Sequence, residues 1–123
     1  MILTEFNQKT GILDSKFEGE VTLNEIVEYI RKTKENKSYP RVLKILTDAT
    51  KSHMNLVFED LKIIVAENYK SIEQYDYIID AIVLESPKET ALSMLYQELA
   101  KTRKYKFKIF ATREASIYWL ENN

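Results

Sequence analysis

The chain has 123 residues with two glycines, no cysteine and one histidine, and its 18 Lys and Arg nearly balance 19 Asp and Glu. That composition excludes a disulfide framework, a thiol nucleophile, a thiolate zinc site, a cysteine-ligated iron–sulfur cluster and a three-histidine metal centre. Gly11 and Gly19 stand apart, so no glycine-rich loop exists to cradle a phosphate or a dinucleotide.

A net charge of −1 argues against nucleic acid as the main partner. With 45% apolar residues the chain can fill a core, and its length corresponds to one domain, 1–123. The start, Met1 to Glu5, lacks a basic region, and no apolar run reaches bilayer-spanning length. The expectation is a soluble cytoplasmic protein with no cofactor and no metal.

In chain order, Ile2–Asn7 and Ile12–Glu18 read as a hairpin whose turn uses Gly11. Thr22-Leu23-Asn24-Glu25 is a capping box, and the stripe Leu23, Ile26, Val27, Ile30 carries a helix to about Lys34. Arg41 to Asp48 reads as an interior strand followed by a polar loop, Ala49 to His53. A helix follows on the stripe Val57, Phe58, Leu61, Ile64, Val65, Tyr69, Ile72. Ala81 to Leu84 is a second interior strand, with Tyr77 to Ile79 leading towards it.

Ser86-Pro87-Lys88-Glu89 forms another capping box with proline at the first helical position, opening a helix that ends near Arg103-Lys104. Tyr105 to Phe110 alternates aromatic or apolar residues with lysine, as a strand does, and Thr112 caps a last helix through Leu120. The order β-β-α-β-α-β-α-β-α predicts an α/β fold with a mixed, mostly parallel sheet.

This order resembles the STAS domain of anti-sigma-factor antagonists, and more closely its SpoIIAA-like relatives. The likeness rests on Phe17-Glu18-Gly19-Glu20-Val21-Thr22, on Leu46-Thr47-Asp48, on Ile82-Val83-Leu84 before Ser86-Pro87, and on Phe110 with Ala115 to Leu120. It implies helices packed mainly on one side of the sheet and a binding or regulatory role without enzymatic activity. It also implies a partner-facing second helix, and links the chain to CRAL-TRIO-type domains that bind apolar or anionic ligands at membranes. The phosphoregulated antagonists carry Asp-Ser and then glycine where this chain has Met54-Asn55-Leu56-Val57-Phe58-Glu59, so their phosphoserine switch is not expected. Thr50 and Ser52 are the hydroxyls left nearby.

Three candidate sites follow from the residues. On a helical wheel, Leu56 and Ile63 fall on the polar face with Glu59, and with Met54 they form an expected apolar patch for a protein partner, a second copy or a membrane surface. Strand carboxyl ends and helix amino termini should meet at one edge, where Thr50, Lys51, Ser52, Ser86, Thr112 and Arg113 could hold an anion. His53 beside Asp48 is the weakest of the three, an acid–base pair with no nucleophile motif near it. The lysines interleaved in Tyr105–Phe110 also suit base stacking with backbone contacts, but ordinary strand alternation accounts for them.

Overall fold

The computed structural model describes residues 1–123 and contains β1 (Ile2–Asn7), β2 (Ile12–Val21), α1 (Leu23–Glu35), β3 (Val42–Met54), α2 (Phe58–Ile72), β4 (Tyr77–Val83), α3 (Pro87–Leu99), β5 (Tyr105–Phe110) and α4 (Arg113–Glu121). The strands lie side by side in chain order, with β1 antiparallel to β2 and the remaining pairs parallel. When each right-handed crossover steps one strand in the same direction, every crossover helix lands on the same face. Accordingly α1, α2 and α3 cover one face, and α4, which follows the last strand, folds back over the other.

Strand alternation divides the core between these faces. Towards α1–α3 point Leu13 and Phe17 of β2, Leu43 and Ile45 of β3, Ile78 and Ile82 of β4, and Tyr105 and Phe107 of β5. Towards α4 point Ile12, Leu46, Ile79, Ala81 and Val83, closed over by the fully buried Leu120. Because β4 is covered on both faces, its apolar residues are continuous rather than alternating. On α4 the buried residues are Ser116 and Leu120, whereas Ala115 is exposed.

Local signals hold at most element ends. The Asn7 side chain accepts from the Lys9 and Thr10 amides, and Gly11 takes φ +71 to close the β1–β2 turn. Thr22 and Glu25 form the reciprocal capping box of α1, and Thr112 Oγ1 accepts from the Ala115 amide to cap α4. At α3 the capping box does not form. The Ser86 hydroxyl donates to the Glu89 carboxylate instead, and α3 stops at Leu99, short of Arg103.

The largest departure from expectation is β3. Ala49 to His53 is not a loop: the strand runs to Met54 and pairs with β2 beyond a bulge. Between the pairs Lys16↔Asp48 and Glu18↔Lys51, β2 advances two residues and β3 three, so β3 carries one extra residue. An inserted residue reverses strand parity. Inward positions are odd-numbered up to Ala49, and past the bulge Met54 is turned into the core.

A carboxylate inside the α1–α3 cavity

Of the residues expected to bind an anion, Thr50 and Arg113 both engage Asp48. Arg113 pairs with Asp14 and reaches Asp48 Oδ2 at 3.8 Å, while Thr50 donates its backbone and side-chain hydrogens to Asp48 Oδ1. Two carboxylates face one guanidinium there, so the cluster is already neutralised and has no surplus positive charge for an anion. The Ser52 hydroxyl donates to the Ala49 carbonyl and Lys51 is exposed. Ser86 and Thr112 are engaged in their own helix starts.

His53 does not meet Asp48. Extension of β3 carries it to Glu89, whose Oε1 lies 3.1 Å from His53 Nδ1. Glu89 is a buried carboxylate at the start of α3 that also accepts from the Met54 amide at 3.2 Å and from the Ser86 hydroxyl. Burial pushes its pKa up, but the bonds from Ser86 and Met54 with the nearby His53 outweigh burial and hold it below the ordinary carboxylate range. The group fastens the end of β3 to α3.

The expected apolar patch is also corrected. α2 begins at Phe58, so Leu56 lies before the helix and the helical wheel does not apply to it. Met54 and Leu56 are buried at 5% and 7% exposure, whereas Ile63 is 47% exposed. Glu59 is exposed on α2, and Val57, expected to be inward, is exposed as well.

What the structure contains instead is a cavity of about 110 Å³ between the sheet and α1–α3. Its wall is mainly apolar and includes Met54, Leu56, Leu61, Ile64 and Ile82. Two residues read as a docking surface therefore line this cavity. For scale, an apolar cavity of roughly 150 Å³ accommodates benzene.

Asp80 stands in this wall, on the central strand β4 between inward-facing Ile78 and Ile82, and paired in register with Ile45 and Phe107. Its Oδ2 accepts from the Tyr105 hydroxyl at 2.6 Å; its Oδ1 is out of solvent contact and has no hydrogen-bond partner. Leaving a buried acceptor unpaired costs about 1–3 kcal/mol. Burial drives the Asp80 pKa up to about 7 against the opposing effect of the Tyr105 hydroxyl. The Tyr105 hydroxyl is 3.0 Å from that of Tyr96, which accepts from Asn68 Nδ2 at 2.9 Å. Burial and the Asp80 charge raise the pKa of both tyrosines, so they stay neutral.

Sequence reading missed Asp80 because it began the strand at Ala81. The signal was present: in Tyr77 to Val83 every odd position from Ile79 is apolar and every even one is apolar except Asp80.

Comparison with known proteins supports the fold. No family model matches the sequence, and no curated protein matches it. The chain is similar to the crystal structure of an uncharacterised protein from the DUF3478 family with a SpoIIAA-like fold, from Shewanella loihica PV-4. The likeness covers 98% of this chain and 92% of that one, with a TM-score of 0.62 at 17% sequence identity. The architecture is thus a SpoIIAA-like α/β fold, here with a carboxylate-bearing cavity beneath three helices. No helix is long and apolar enough to cross a membrane.

Proposed function

We propose that this chain is a non-enzymatic binding domain that takes up a small, mainly apolar ligand in the cavity beneath α1–α3. The observation that carries the reading is the joint presence of a cavity of about 110 Å³ and, in its wall, Asp80, one of whose buried carboxylate oxygens has no partner. A packed core closes voids and pairs its polar atoms, so both departures at one place mark a site rather than a scaffold. No Lys, Arg or His lines the cavity, which favours a neutral occupant over the anionic one considered from the sequence.

The freshly purified protein supplies the test. Native mass spectrometry with solvent extraction should find an extra mass or, failing that, the empty protein should gain thermal stability with toluene or phenol. An empty protein with no response to either compound would remove the reading. A second reading, contact with a protein partner or a second copy through α2, retains exposed Ile63 and Glu59 with neighbouring Phe58.

A further inference from the structure

We infer, resting on the cavity reading above, that the pocket selects ligands presenting a hydrogen-bond donor, a hydroxyl or N–H on an apolar body, with Asp80 Oδ1 as the acceptor. The inference comes from following protons along the polar wall. Tyr105 has one hydroxyl hydrogen, and it is spent on Asp80 Oδ2, a group that only accepts when ionised. At the 3.0 Å contact between Tyr96 and Tyr105, Tyr96 must therefore be the donor. Having spent its hydrogen, Tyr96 accepts from Asn68 Nδ2. The chain Asn68 to Tyr96 to Tyr105 to Asp80 runs in one direction and commits both tyrosine hydrogens. Its unpaired end is Oδ1, a buried acceptor without a donor.

Such an end rewards a ligand that brings the missing hydrogen. A ligand bearing only acceptors would meet lone pairs facing lone pairs, and an anion would in addition meet the carboxylate charge with no cation in the wall. The body of the ligand is set by the apolar majority of the lining and a volume of about 110 Å³. Phenol and small cyclic alcohols or amines belong to this class.

The selectivity depends on the protonation of Asp80. Since Tyr105 occupies Oδ2, a proton on this carboxyl resides on Oδ1 and turns the unpaired acceptor into a donor. Burial places that change at about 7. The titratable groups around Asp80 are Tyr29 of α1 and Tyr96 of α3, which line the cavity, and Tyr105 of β5, bonded to it, all raised above their ordinary range mainly by burial. β3 presents Thr47 and α2 presents Asn68 and Ser71, which do not titrate.

The test is a calorimetric or NMR titration of the whole chain with toluene, phenol and benzoate at about pH 8.5 and about pH 5.5. At the higher pH, phenol should bind about tenfold more tightly than toluene, the size of one hydrogen bond to a charged acceptor, and benzoate should not bind. At the lower pH the advantage of phenol should shrink to within about threefold. Asp80→Asn, which leaves an acceptor for Tyr105 but puts an amide at the unpaired end, should abolish the advantage at both pH values. If that variant fails to fold, the comparison of wild type at the two pH values decides alone. Equal binding of toluene and phenol throughout would overturn the donor inference and leave the cavity reading standing. Binding of none of the three would overturn both, and benzoate as the best ligand would overturn the inference.

Discussion

Asp80→Asn also changes how stability depends on pH, because the native fold holds a proton that the unfolded chain releases. In the fold the carboxyl titrates at about 7, and in the unfolded chain at about 3.9. Between those values the native state binds one proton more than the unfolded state, so stability falls as pH rises and levels off above about 7. A gap of roughly three pH units, at about 1.36 kcal/mol each, amounts to on the order of 4 kcal/mol. Asparagine does not titrate, so that slope should vanish in the variant. Its unpaired amide costs stability equally at every pH, which makes the slope, and not the offset, the informative quantity. The assay is urea denaturation of both proteins from about pH 4.5 to about pH 8.5. Relative to the variant, wild type should lose most of this stability between about pH 4.5 and pH 7. Parallel curves for the two proteins would refute the placement of Asp80 as a buried acid with a raised pKa.

Other substitutions address the rest of the account. Glu89→Gln should cost about 2 kcal/mol at neutral pH, because the buried carboxylate accepts from Ser86 and from the Met54 amide. Since the Glu89 pKa lies below its unfolded value, that deficit should shrink as pH falls through the native pKa; a deficit independent of pH in denaturation curves would contradict this role. Ile63→Lys should change stability by less than about 0.5 kcal/mol, whereas Leu56→Lys should abolish folding by circular dichroism, and the reverse order would restore the patch expected from the sequence. Ser93→Leu, at the cavity wall on α3, should eliminate phenol binding while keeping the fold within about 1 kcal/mol of wild type. Retained phenol affinity in that variant would place the ligand elsewhere.

The element order was legible from period and capping, because Thr22, Glu25 and Thr112 act locally and the apolar stripes have clear spacing, whereas the packing of helices mainly on one side was implied only by the resemblance to SpoIIAA-like domains. The bulge in β3 was not legible. Lys51-Ser52-His53 is polar because it lies where β3 outruns β4, whose last pairing with it is Asp48↔Val83, and a half-covered strand there looks like a loop. That one misreading moved Met54 and Leu56 from the core to an imagined surface and brought His53 to Asp48 rather than to Glu89. The three-residue spacing of Ser86 and Glu89 was correctly seen, but long-range bonds to Met54 and His53 claim the carboxylate before the helix end can. The cavity has no local signature at all. It arises from how Tyr29, Asn68 and Tyr96, on three different helices, meet the sheet around Asp80.

The most direct test of the central claim is a methyl-resolved NMR titration with phenol at about pH 8.5. If the space beneath α1–α3 is the binding site, the methyl signals of Ile45, Ile64, Ile78 and Ile82 in its wall should shift together and show contacts to the phenol ring. Exposed Ile63 should not respond. Shifts confined to Ile63 and other surface methyls, with the four wall residues unmoved, would contradict an interior binding site.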